Sequence, residues 1–203
     1  MSVARIVSLL LLYPTEETRS ARPEMAAAAA AAEGPSARAV EAFLAGSDAP
    51  LDTLQQRYVE TFDFDPRASM HLTWHLHGDR RQRGVELVRL KRRYADAGLE
   101  LEEGELPDYL PVLLEFAALT PPEEGRALLA ELREPIELVR ARLRERESEY
   151  ALLLDAVVGE LPRLTRAQEE RIDALAAEGP PAELVGLEPT VPSAPAPAGR
   201  AAR

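Results

Sequence analysis

The sequence predicts an all-α fold, with a single-domain helical bundle over residues 1–178 and a disordered Pro/Ala-rich tail over residues 179–203. Three observations carry this reading. No stretch sustains the apolar/polar alternation of a half-buried strand. Apolar residues instead recur three and four apart, between recognisable helix start and stop signals. Beyond about Glu178 the chain holds six of its seventeen prolines and reads "PSAPAPAGRAAR", with too few large apolar side chains to offset the entropy of ordering.

The elements follow in order. Ser2 caps a first helix ending near Tyr13, whose apolar run Ile6 to Leu12 reads as a buried face. Thr15 starts a second helix that runs through the alanines Ala26 to Ala32, strong helix formers, until Gly34-Pro35 stops it. Ser36 caps a short helix to Gly46, and "SDAP" leads into another from Leu51 to Phe62 with Leu51, Leu54, Tyr58 and Phe62 on one stripe. Asp65-Pro66 opens the helix that carries the histidines and stops at Gly78, since proline loses nothing where the amide has no partner. Asp79 caps the next, with Leu87, Leu90 and Tyr94 inward, to Gly98. In "ELPDYLPVLLEFAAL" a helix starting at Pro107 would place Pro111 where its missing N–H breaks a bond, so Asp108 is the expected cap. Thr120-Pro121-Pro122-Glu123 matches a capping box opening a helix to about Arg133. From Ile136 one long helix is expected, with Val139, Leu143, Tyr150, Leu153 and Val157 on one face, until Gly159.

Composition narrows function. With 203 residues, 46% of them hydrophobic, the chain fills one core. Its net charge of −11 argues against nucleic acid and anionic membrane as main partners and favours basic or apolar ones. It fits a cytoplasmic protein. There is no cysteine, which removes thiol catalysis, disulfides and cysteine-built zinc sites. The N-terminal apolar run is far shorter than the roughly 20 residues of a membrane span, so no direct membrane insertion is expected.

The densest chemistry lies in "HLTWHLHGDRRQRG", residues 71–84, which holds every histidine of the chain and its single tryptophan, Trp74. His71 and His75 have the helical spacing by which two imidazoles reach one zinc, but the third ligand of a catalytic site is missing from the motif, and helix packing or capping explains them as well. Arg80, Arg81, Arg83, Arg89, Lys91, Arg92 and Arg93 form a basic block. Residues 95–134 carry eleven acids against two bases, so the simpler reading is a basic face meeting an acidic face within the fold. No nucleophile elbow, phosphate loop or spaced carboxylate pair stands out, which favours a binding protein over an enzyme. Asp108 and Tyr109, beside two prolines at a helix start, form the other candidate spot.

The segments "YVETFDFDPRASMHLTWHLHGDRRQRG", "LKRRYADAGLELEEGELPDYLPVLLEFAAL" and "RARLRERESEYALLLDAVV" together resemble the nitrate reductase delta subunit family, the dedicated assembly chaperones of respiratory molybdenum enzymes. The likeness runs over residues 3–158 and includes the N-terminal "LLLLYP". It implies an all-helical protein that is no enzyme and needs no cofactor or metal of its own. It also implies a partner, the apo nitrate reductase alpha subunit, bound partly through its N-terminal segment in the cytoplasm and held until the molybdenum cofactor is inserted. By motif it points to His77, Gly78 and Asp79, and to Glu105, Leu106, Pro107 and Asp108. Some relatives have His where this chain has Tyr109. With their neighbours Trp74 and His75, these residues form the expected client-binding set. The competing readings are a histidine-based metal-dependent hydrolase and a helical scaffold or regulator.

Overall fold

The computed structural model describes residues 1–178, within which twelve α-helices and one 3-10 turn, and no strand, are found. The expected tail lies outside the described residues. Helix α1 (Val3–Leu10) is capped as the sequence suggests, the Ser2 hydroxyl accepting from the Arg5 amide. Ile6, Val7 and Leu11 are fully buried, which accounts for the apolar run at about 1.5–3 kcal/mol per large side chain. The expected second helix is two: α2 (Glu16–Ser20) under a Thr15 cap, then α3 (Arg22–Ala31). Pro23 explains the break, because it has no N–H to continue the ladder. Helix α4 (Pro35–Gly46) starts at Gly34, whose φ of 114° suits only glycine. Ser36 is therefore not the cap but a buried residue of the first turn. Helix α5 (Leu51–Phe62) matches its expected bounds and buries Leu54, Tyr58 and Phe62.

The helix expected over 65–78 divides. Asp65 caps only the 3-10 turn Pro66–Ala68, and α6 (Leu72–His77) starts separately. Between them the backbone pairs across the fold. Leu72 N–H donates to the Asp108 carbonyl at 3.0 Å and Leu110 N–H to the Met70 carbonyl at 2.9 Å, an isolated antiparallel bridge centred on His71 and Tyr109. Helix α7 (Arg81–Asp96) begins after Arg80, not at an Asp79 cap, and buries Leu90 and Tyr94. Helix α8 (Leu110–Leu119) holds Pro111 in its first turn, and α9 (Pro122–Glu131) follows without the expected capping box, because the Thr120 hydroxyl donates to the Phe116 carbonyl at 2.8 Å.

The long final helix also divides, into α10 (Arg133–Glu145) and α11 (Ala151–Gly159), with α12 (Arg166–Glu178) beyond. Glu147 takes φ 53°, its N–H donating to the Arg144 carbonyl at 3.0 Å and that of Ser148 to the Leu143 carbonyl at 2.9 Å. This is a complete Schellman stop with glutamate in the usual glycine position. Folding back there lets α11 pack on α10 and α4, and brings Tyr150 against Phe43, Tyr58 and Phe62 with ring centroids 5.0–6.2 Å apart. Val139, Leu143, Tyr150, Leu153 and Val157 are all buried, though on two helices. Helix α1 packs on α3, α4, α8 and α11, and α10 gathers α6, α9, α11, α12 and the 3-10 turn.

Candidate functional site

The bridge between Met70–Leu72 and Asp108–Leu110 joins the two candidate segments into one site. Asp108 is completely enclosed. It does not cap its own helix; its Oδ2 accepts from the Thr73 amide at 3.2 Å and the Thr73 hydroxyl at 2.5 Å, so it caps α6 from 35 residues away. Its Oδ1 lies 3.4 Å from His71 Nδ1, and the Arg83 guanidinium stands 3.6 Å from Oδ2. Burial pushes this carboxyl up, but the hydrogen bonds from His71 and Thr73 and the neighbouring charges outweigh it and hold the group below the usual carboxylate range. Arg83 also donates to the Thr73 hydroxyl at 3.3 Å and approaches Asp79 at 3.7 Å. Asp79, expected as a cap, is thus an exposed partner of that arginine.

The other histidines separate. His71 sits at the N-cap of α6, its ring 5.1 Å from that of Tyr109. His75 is buried and its Nε2 lies 2.7 Å from the Ser69 carbonyl; burial pushes its imidazole down, against that bond. The two do not share one helical face, because α6 starts only after His71. Among the described residues no three histidine, aspartate or glutamate side chains gather in a metal-binding group. Gly78 ends α6 with φ 55° and ψ −138°, a conformation open to glycine, its N–H donating to the Trp74 carbonyl at 2.7 Å.

Around this framework runs a surface groove. One half, about 480 Å³, is lined by Tyr58, Phe62, Met70, His71, Leu106 and Tyr109 with Asp63 and Glu105 at its edge. The other, about 340 Å³, is lined by Phe62, His71, Trp74 and Pro66 with Asp63, Asp79 and Arg83. The halves share Phe62, Asp63, Ser69 and His71 and so are continuous. Of the expected residues, Glu105, Leu106 and Tyr109 fall on one side and Trp74 and Asp79 on the other. His75, Gly78, Pro107 and Asp108 are buried framework, and His77 lines neither half. Sequence reasoning missed Tyr58, Phe62, Asp63 and Met70 as lining residues. The first two carried a signal, an aromatic pair four apart, but it reads equally as core. Phe64, next to Asp63, is 77% exposed, leaving further apolar surface near this rim.

The groove is of mixed polar and apolar lining and is edged by three carboxylates, Asp63, Asp79 and Glu105. The comparisons give the family. The model for the nitrate reductase delta subunit matches residues 22–154, and the chain belongs to that family. It is 34% identical over 160 residues to the probable nitrate reductase molybdenum cofactor assembly chaperone NarJ of Bacillus subtilis, covering 78% of this chain and 87% of that one. It is 39% identical over 158 residues to NarJ of Escherichia coli K12, covering 75% and 66%. It is also 39% identical over 159 residues to the nitrate reductase-like protein NarX of Mycobacterium tuberculosis, covering 76% of this chain but 24% of that longer one.

Proposed function

We propose that this chain is a system-specific assembly chaperone, not an enzyme, that works in the cytoplasm. It binds the apo alpha subunit of a respiratory nitrate reductase, including its N-terminal segment, and keeps it competent for molybdenum cofactor insertion before membrane attachment. The observation that carries this reading is the groove over the α5, α6 and α8 junction. Its aromatic and aliphatic floor suits the apolar face of a short helical segment, and Asp63, Asp79 and Glu105 suit a basic flank. Leu106, 37% exposed, and Tyr109 form one wall, and Trp74 the other. His75, Gly78, Pro107 and Asp108 lie buried behind these walls, and His77 lies outside both halves. The names of the relatives, assembly chaperones for the molybdenum cofactor of nitrate reductase, point the same way.

Trp74 is the single tryptophan of the chain, so its emission reports on the groove alone. Titration with a synthetic peptide of the alpha subunit's N-terminal segment, followed by Trp74 emission and by calorimetry, is expected to saturate at one peptide per chain. Leu106→Asp is expected to weaken the peptide by about tenfold or more and leave the thermal midpoint in place. A flat titration by both methods overturns the groove reading.

A further inference from the structure

The basic block is only half used by the fold. Arg83 pairs with Asp79 and Asp108, Arg89 with Glu86 and Glu131, and Arg93 with Glu131. Arg80, Arg81, Lys91 and Arg92 are exposed and make no ion pair among the described residues. At 100° per residue Arg81, Val85, Val88 and Arg92 fall on one stripe of α7, opposite the buried Leu90 and Tyr94. Val85 is 62% and Val88 68% exposed. From Arg81 to Arg92 the stripe runs about 16 Å, at roughly 1.5 Å per residue.

We propose that this stripe of α7, with Lys91 beside it, is a second docking surface that takes an acidic, apolar-centred patch on the folded body of the protein whose segment fills the groove. The inference rests on the groove reading for the identity of that protein, but its own observations are separate. Charge complementarity selects the occupant. The groove edge is acidic while α7 offers unneutralised cations around two valines, so a single partner that covers both presents a basic, apolar segment and an acidic surface. Position agrees: Asp79 and Arg83 line the end of the groove, and Arg80 and Arg81 lie between them in the chain. A partner engaged in the groove is thereby brought over α7, where the second contact forms at high effective concentration. A bilayer fits less well, because two valines give little to insert and the chain's net charge of −11 opposes an anionic surface.

Two double variants test this in the full chain: Arg81→Glu with Arg92→Glu, and Val85→Ser with Val88→Ser. Each is titrated with the N-terminal peptide and, separately, with the purified apo alpha subunit. The thermal midpoint and the peptide affinity are expected to hold, while affinity for the whole subunit falls about tenfold in each. Unchanged subunit affinity in both variants overturns the proposal. If the peptide fails to bind the wild-type chain and the variants still lose the subunit, the groove reading falls and the α7 surface stands. Co-sedimentation with phosphatidylglycerol vesicles that the arginine variant loses, with subunit affinity intact, assigns the stripe to a membrane and overturns it as well.

Discussion

Asp108 shows how one residue changes meaning between sequence and structure. Beside two prolines it reads as the cap of the helix it precedes, yet it is a buried acceptor that closes α6 through Thr73 and faces Arg83. Asparagine keeps an oxygen for the Thr73 amide but loses the charge opposite Arg83, whereas alanine leaves the amide, the hydroxyl and the guanidinium without their partner. Asp108→Asn is therefore expected to cost about 1–2 kcal/mol and Asp108→Ala about 3 kcal/mol, measured by urea unfolding at neutral pH. The pH dependence has a definite sign. The folded-state pKa is lowered, so the carboxylate stabilises the fold above its unfolded value of about 4 and loses that contribution as pH falls through the folded value. The gap between wild type and Asp108→Asn should narrow as pH drops from 7 to about 3. A gap constant over that range would show that the charge has no role. Because Asp108 is enclosed, a loss of client binding in these variants would report on the shape of the groove rather than on a direct contact.

At the scale of elements, two joints decide where helices end and cross. The Schellman stop after α10 places Glu147 in the left-handed region at φ 53°, which costs a non-glycine residue on the order of 1 kcal/mol. Glu147→Asn, a residue that tolerates this conformation, is expected to stabilise the chain by about 0.5 kcal/mol. A loss of stability would mean that the glutamate side chain itself contributes more than the strain. Where α8 meets α9, Gly125 lies so close to Ala117 that an added Cβ would stand 2.6 Å from its Cα. Gly125→Ala cannot be absorbed by a rotamer change, because the obstacle is backbone. It is expected to lower stability by about 2 kcal/mol despite the better helix propensity of alanine. Calorimetry would show a thermal midpoint several degrees lower; a rise would refute the close crossing. Neither joint is marked in the sequence, since a glutamate is no stop signal and a glycine inside a helical pattern looks only unfavourable.

For the molecule as a whole, charge and composition set the behaviour. If the carboxylates around the groove attract a basic client end, affinity for the N-terminal peptide should weaken as salt is raised, because exposed charges are screened beyond about 10 Å at 0.1 M. Salt-independent affinity would reduce the groove to its apolar floor. Removal of residues 179–203 is expected to leave the thermal midpoint and peptide binding unchanged, since that composition offers little to a core. A drop of several degrees would contradict it. By itself the sequence determined the all-helical class, the bounds of α5, the Ser2 cap, the turn at Gly78 and the family, because periodicity, caps and motif residues act over a few neighbouring positions. It also determined most of the buried stripe residues, down to Tyr150 and Val157. Only the tertiary structure decided where the helices over 65–78 and 136–159 break, what Asp108 caps, and that residues near 62, 71, 79 and 106 border one groove. The break near Glu147 is a local stop that no residue type announces, whereas the others depend on backbone groups and carboxylates finding partners tens of residues away. A helix whose amides are claimed by a distant carbonyl or carboxylate ends there, whatever its local pattern says.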